Sequence, residues 1–296
     1  MLKIVEKTKI FFAISLFVIL IGMGFVATKG LNLGIDFKGG TALTINMHQQ
    51  FAKADVDKII DQHAKGEYLS KTINDGKELE ITVKSDALSA LEIGTMMKEI
   101  KTQFKSSELL SQDTIGASIG TELKSKAVTA LIVAMICMLI YVGFRFEFNF
   151  GAAAIIALLH DVLIVVTVYA VLQIPVNATF IAAILTVVGY SINDTIVIFD
   201  RIRENQTIMR KSSIEDITNT SVTQTMARSI NTVLTVLITL VAVYIFVPTI
   251  RNFSFPLLVG IASGCYSSIF IASPLWVIFK NMSKKHSKSM KPIKSK

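Results

Sequence analysis

Six stretches of this chain approach the roughly 20 apolar residues that an α-helix needs to cross a bilayer: residues 10–27, 127–144, 151–172, 178–199, 233–247 and 257–279. The fifth is short unless its helix begins earlier, near Arg228. The chain of 296 residues is 52% hydrophobic and only 18% charged, with a mean hydropathy of +0.57. That is more apolar than an ordinary globular core of this length absorbs. A polytopic α-helical membrane protein with six transmembrane helices is expected. Lysines precede the first stretch as they would in a signal peptide, but no A-x-A-like cleavage site follows it, so it reads as a retained signal-anchor.

The formal charge of +8 does not imply nucleic acid. That reading needs a basic patch or stripe, whereas here the cations are spread and seven of them (Lys280, Lys284, Lys285, Lys288, Lys291, Lys294 and Lys296) lie in the C-terminal tail. A basic tail directly after an apolar segment is an anchor to anionic lipid headgroups. Cys137 and Cys265 both lie in apolar stretches, where they act as small hydrophobes and form no disulfide framework.

Short loops rich in lysine and arginine stay cytoplasmic. Lys3, Lys7 and Lys9 precede the first span, Arg145 sits between the second and third, and Arg201, Arg203, Arg210, Lys211 and Arg228 lie between the fourth and fifth. The opposite links, QIPVN (173–177) and PTIRNFSFP (248–256), carry only Arg251. Both termini are therefore expected in the cytoplasm and the long segment before the second span outside it. The expected division is 1–27 (N-terminus and first span), 28–126 (outside domain), 127–279 (spans two to six) and 280–296 (basic tail).

The outside segment holds 14 acidic residues and 13 lysines. TALTINM (41–47) alternates like a strand, and AKADVDKIIDQHA (52–64) has helical spacing. EYLSKTI (67–73) and ELEITVK (78–84) flank the turn NDGK, a hairpin signal. DALSALEIGTMMKEIKTQF (86–104) is amphipathic through Leu88, Leu91, Met96 and Ile100, and SQDTIGASI (111–119) closes the set as a last strand. The order β-α-β-β-α-β predicts a small α+β, ferredoxin-like domain. It contains no cysteine and no metal-ligand cluster, and His48 and His63 read as ordinary surface residues, so neither metal nor cofactor is expected and the domain reads as a contact module.

The domain opens on GIDFKGGT (34–41). Gly34, Gly39 and Thr41 fit the phosphate-binding template G-x-x-x-x-G-K-[ST], but Gly40 stands where its lysine belongs. Outside the cytoplasm there is no nucleotide pool to bind. Gly34, Gly39 and Gly40 instead allow a sharp turn from the membrane into the first strand, with Asp36 expected to bond backbone within that turn.

Ionisable groups inside spans are costly and mark ion pathways or buried pairs. Asp194 is the sharpest case, in TVVGYSINDTIVIFDRIREN (186–205). Tyr190 and Ser191, four and three residues earlier, share its face, with Asn193 adjoining and Gly189 offering close approach to another helix. The plain reading is a hydrogen bond to a neighbouring helix; the sharper one is a site that exchanges protons. In the third span, Asp161 is a second relay candidate beside His160, which either titrates or bonds a neighbouring helix; about 100° apart, the two cannot face one neighbour squarely. Arg228 either pairs with Asp194, favouring the ionised carboxylate, or snorkels to headgroups. Gly260 and Gly264, with Ser263, Ser267 and Ser268 nearby, read as close helix packing.

Taken together, GIDFKGGT, IGASIGTEL (115–123), ALLHD (157–161), VVGYSINDTIVIFDRIREN (187–205) and the serine, threonine and arginine pattern of 221–232 resemble SecF, the family of smaller membrane subunits that accompany the bacterial protein-export channel. Ala117 departs from the pattern, where the family usually has proline. The resemblance implies a six-span half of a resistance-nodulation-division fold in the inner membrane, partnered by a SecD-like subunit and a SecYEG-type channel and acting on the exported polypeptide. It implies use of the proton-motive force for late translocation steps, without nucleotide hydrolysis. Asp194 and Arg228 fall on the positions the family is thought to use for proton coupling. The competing readings are a self-sufficient proton-driven exporter of small molecules or lipids and a purely structural subunit.

Overall fold

Each apolar stretch belongs to a longer helical segment. The computed structural model describes residues 2–64, 68–74, 76–84 and 88–289. In chain order it contains α1 (Thr8–Lys29), a single turn α2 (Ile35–Lys38), β1 (Gly40–Asn46), α3 (Lys53–His63), β2 (Tyr68–Ile73), β3 (Glu78–Val83), α4 (Ala90–Gln103) and β4 (Glu108–Ile115). Then follow α5 (Ala117–Arg145), α6 (Phe148–Leu172), α7 (Ala178–Ile208), α8 (Ile214–Phe246), α9 (Arg251–Ser267), a π-helical segment Ser268–Ala272, and α10 (Ser273–Ser289). Six helical segments are long and apolar enough to cross a membrane, the last running through α9, the π segment and α10. Of the expected basic tail, Lys291, Lys294 and Lys296 lie outside the described residues, as do Glu67, Asp75 and Asp86 of the expected strand, turn and helix.

The chain divides into two compact units. One is Asn32–Thr129 together with Pro175–Ala178. Its sheet has the order β2-β3-β1-β4 with antiparallel neighbours throughout, so β3 lies between β1 and β2 and splits the β1-α3-β2 unit, the ferredoxin-like topology. Alternation along β1 and β3 buries Leu43, Ile45, Leu79, Ile81 and Val83 on one face, against Val56, Ile59 and Ile60 of α3 and Ile93, Met96 and Ile100 of α4. His63 is tied to Glu99 at 2.8 Å, and His48 lies 3.8 Å from Glu108.

Two local expectations need correction. Leu91 is 79% exposed and Ile93 takes its place in the core. The cause is the helix start: Ser89 caps α4 in a reciprocal capping box with Glu92. That puts Leu88 and Ile93 at the two positions of a hydrophobic staple and turns Leu91 outward. The last strand ends at Ile115, not residue 119, and Ala117 is the first residue of α5. Proline and alanine both suit a first helical position, so the departure at Ala117 leaves the backbone undisturbed.

In the other unit, the fifth span begins much earlier than its apolar run. Ser213 caps α8, accepting from Asp216 N at 3.0 Å, and the helix then runs 33 residues. One face of its polar first half is buried: Thr218, Asn219, Ser221 and Thr225. Asn219 Oδ1 accepts from Ile4 N and Val5 N at 3.0 and 3.1 Å, satisfying backbone donors just ahead of α1. Between α7 and α9, Gly260 leaves space that Val187 fills, and a Cβ at Gly264 would lie 3.0 Å from that of Ser191. The two helices therefore pack at short range, as small residues permit in a membrane.

Candidate functional site

Close packing of α7 on α9 brings several polar side chains together around one carboxyl inside the spans. Asp161 of α6 is 1% exposed. Its Oδ2 accepts from Ser191 Oγ of α7 and Ser267 Oγ of α9, each at 2.7 Å, and its Oδ1 accepts from Ser263 Oγ at 2.7 Å. Ser263 and Ser267 are one turn apart on a single face, and Gly264 between them lets Ser191 reach the same carboxyl. These are well-formed hydroxyl–carboxyl hydrogen bonds. His160 Nδ1 lies 3.1 Å from Asp161 Oδ1, and its Nε2 lies 3.0 Å from Ser15 Oγ of α1. The adjacent pair thus faces different helices, His160 toward α1 and Asp161 toward α7 and α9. The serines of α9, read from spacing as packing residues, are partners of Asp161.

Asp194 has a different environment. It is 8% exposed, and its Oδ2 is buried without a hydrogen-bond partner among the described residues. Ser229 and Arg228 of α8 are the polar groups acting on it, and Tyr190 and Cys265 lie within its field. The Ser229 hydroxyl is also buried and faces the Asp194 carboxyl. Arg228, read as either a partner of Asp194 or a headgroup anchor, is exposed, and no ion pair within 4 Å joins it to Asp194 among the described residues. Neighbours on a helix diverge by about 100°: Ser229 is buried, while Arg228 is exposed and acts on the carboxyl only through its charge.

The polar face expected around Asp194 is divided. Ser191 serves Asp161. Tyr190 Oη reaches Thr232 O of α8 at 3.4 Å. Asn193 is exposed, and among the described residues no atom of another element lies within 4 Å of where a Cβ on Gly189 would be. Thr195 joins the buried face instead, 2.7 Å from Ser268 in the π-helical segment. Among the described residues, no group of three or more His, Cys, Asp or Glu side chains is arranged to hold a metal ion.

The glycine-rich segment is built as a joint. Gly39 and Gly40 have φ of +74° and +141°, the region that favours glycine. A Cβ on Gly39 would lie 2.7 Å from Ala117 Cα, and one on Gly40 would strike Val83 O. Asp36, expected to bond backbone within its own turn, instead accepts from Ala178 N at 2.6 Å. The reason is proximity: Gly34 N donates to Val176 O and Val176 N to Asn32 O, both at 2.7 Å, and Leu33 bridges Val176 in parallel. The short link before α7 is thereby held beside Asp36.

With this geometry established, comparison with known proteins is specific. The family model for the C-terminal part of the protein export membrane proteins SecD/SecF matches residues 95–282, and the SecD/SecF GG motif matches residues 24–50. The chain is similar to the protein translocase subunit SecF of Acidaminococcus fermentans, 38% identical over 96% of this chain and 99% of that protein. It is also similar to the SecF of Haemophilus influenzae, 36% identical over 91% of this chain and 83% of that one. Against the subunit SecDF of Bacillus subtilis it is 39% identical over 93% of its length, but spans only 38% of that longer protein. The crystal structure of SecDF from Thermus thermophilus, a translocon-associated membrane protein, superposes with a TM-score of 0.86 at 34% identity, covering 95% of this chain and 39% of that one.

Proposed function

This chain belongs to the SecD/SecF family of protein-export membrane proteins, and from that premise we propose that it couples proton movement through its spans to the late steps of protein export. It is a multi-pass membrane protein and an auxiliary subunit of the Sec machinery. It fills nearly the length of separate SecF proteins and about two-fifths of the fused SecDF chains. A SecD-like half is therefore its partner. The SecYEG-type channel, the polypeptide in transit and the surrounding lipid complete the proposed assembly. Six spans put both termini on one side of the inner membrane, and the lysines and arginines of the short loops assign that side to the cytoplasm.

The observation that carries the proton reading is the buried carboxyl of Asp194, whose Oδ2 has no hydrogen-bond partner of normal geometry among the described residues. An ionised carboxylate with an oxygen so placed costs several kcal/mol unless a proton or a cation meets it. Arg228 stands one residue from Ser229, and its long side chain can swing to the carboxyl when the proton leaves. Asp194 then alternates between a protonated state facing Ser229 and an ionised state facing Arg228. Asp161 is the second station, connected through Ser191, three residues from Asp194 on α7. One proton falling through 100 mV releases about 2.3 kcal/mol, enough to shift a two-state equilibrium by more than tenfold. No nucleotide hydrolysis is required.

Asp194→Asn in the assembled complex tests this in membrane vesicles. Release of an exported protein is measured with and without a proton gradient. The expected result is that the gradient no longer accelerates release while the complex assembles normally. Undiminished acceleration would reject the relay and leave a structural role.

A further inference from the structure

The segment that joins α1 to β1 is bonded at three points to the link that enters α7, the helix carrying Asp194. Val176 N donates to Asn32 O, Gly34 N donates to Val176 O, and Ala178 N donates to Asp36 Oδ2. Ala178 is the first residue of α7, so its N–H is one of the donors a helix start leaves without an intrahelical partner. Asp36, 142 residues away in sequence, supplies both the acceptor and a negative charge at the positive end of the helix. Gly34 permits the approach: a Cβ there would lie 3.1 Å from Val176 O. Two residues beyond α2, Gly40 starts the central strand β1 and admits no side chain against Val83 of β3. From Ala178 to the middle of the sheet there is an unbroken path of backbone and short hydrogen bonds.

We propose that Asp36 is a positioning residue for coupling: it clasps the start of α7 to the segment feeding β1, so that a shift of α7 on protonation of Asp194 displaces the sheet. The clasp stays closed through the cycle. This rests on the proton reading above, and it assigns the transmission of that movement to one carboxylate outside the spans.

The test uses the full chain in complex with its SecD-like partner. In Asp36→Ala, hydrogen exchange at the amides of residues 174–180 should rise about tenfold, the range expected for loss of a charged helix cap. The ratio of release with a gradient to release without one should fall by about the same factor, and Asp36→Asn, which keeps an acceptor oxygen, should recover much of it. That ratio separates coupling from a merely structural loss, which lowers both arms together. The clasp can also be closed covalently. The Cβ of Asn177 is 3.5 Å from the Cβ position of Gly34, within the range of a disulfide. With Cys137 and Cys265 replaced by alanine, the Gly34→Cys, Asn177→Cys pair should keep gradient dependence when oxidised and restore it to Asp36→Ala. Reduction should abolish that rescue. Full gradient dependence in Asp36→Ala, alongside its loss in Asp194→Asn, would overturn the clasp and leave the relay standing. Retained dependence in Asp194→Asn would overturn both. Loss of dependence in the oxidised pair with Asp36 intact would show that the clasp must open, and would also overturn the proposal.

Discussion

A single carboxylate can be recognised in a sequence long before its partners can. Asp161 and His160 stand out because charge inside an apolar run is rare, but the groups that hold Asp161 come from α7 and α9, 30 to 106 residues away. No local spacing joins Ser191 to Ser263 and Ser267; only the packing of α7 on α9 does. Asp36 is the same case, since its partner Ala178 lies 142 residues away, beyond two spans. The cage around Asp161 makes a stability prediction. Asp161→Ala strands three serine hydroxyls and His160, and should destabilise the purified complex by about 2–4 kcal/mol. Ser263→Ala removes one donor and should cost about 1 kcal/mol. Thermal unfolding in detergent measures both; equal midpoints for Asp161→Ala and wild type would show that the cage contributes nothing to the fold.

Helices and strands were legible wherever burial follows a local period. The strands of the small domain alternate and its helices repeat at helical spacing, so both their type and order could be read. Ends were less legible, because a helix continues past its apolar run when the protein itself solvates the polar remainder. The first half of α8 is such a case: Thr218, Asn219, Ser221 and Thr225 are buried against protein instead of lipid. The close contact of α9 on α7 also makes a prediction about elements. A side chain at Gly260 would overlap Val187. Gly260→Val should therefore push the helices apart, cost about 1–3 kcal/mol and loosen the Asp161 cage. Gly189→Ala, which meets no other element within 4 Å among the described residues, should leave the stability of the isolated subunit unchanged. A matching loss of unfolding midpoint in both variants would show that the effect comes from glycine itself and not from the interface.

For the whole molecule, the informative surface is the part that its own helices leave uncovered. Apolar windows of the third, fourth and sixth spans are 50%, 44% and 56% buried within the chain, whereas those of the first, second and fifth are 11%, 6% and 11% buried. Lipid can cover bare apolar faces at no cost, so these figures alone do not locate a partner. Asn193 does. It is exposed in the middle of α7, and a primary amide facing hydrocarbon without a partner costs roughly 2 kcal/mol or more. Gly189 lies one turn away on the same face and is open to close approach. A polar group beside a small residue suits a helix–helix contact, and the SecD-like half is the available helix donor. A cysteine at position 193 should therefore cross-link to the SecD-like chain in native membranes, while one replacing the buried Ile184 should not. Asn193→Leu should lower recovery of the partner on co-purification by several-fold, because it removes the amide that the partner answers. If Asn193→Leu instead recovers the partner fully and the cysteine captures no protein, the face is lipid-facing and the two halves meet elsewhere.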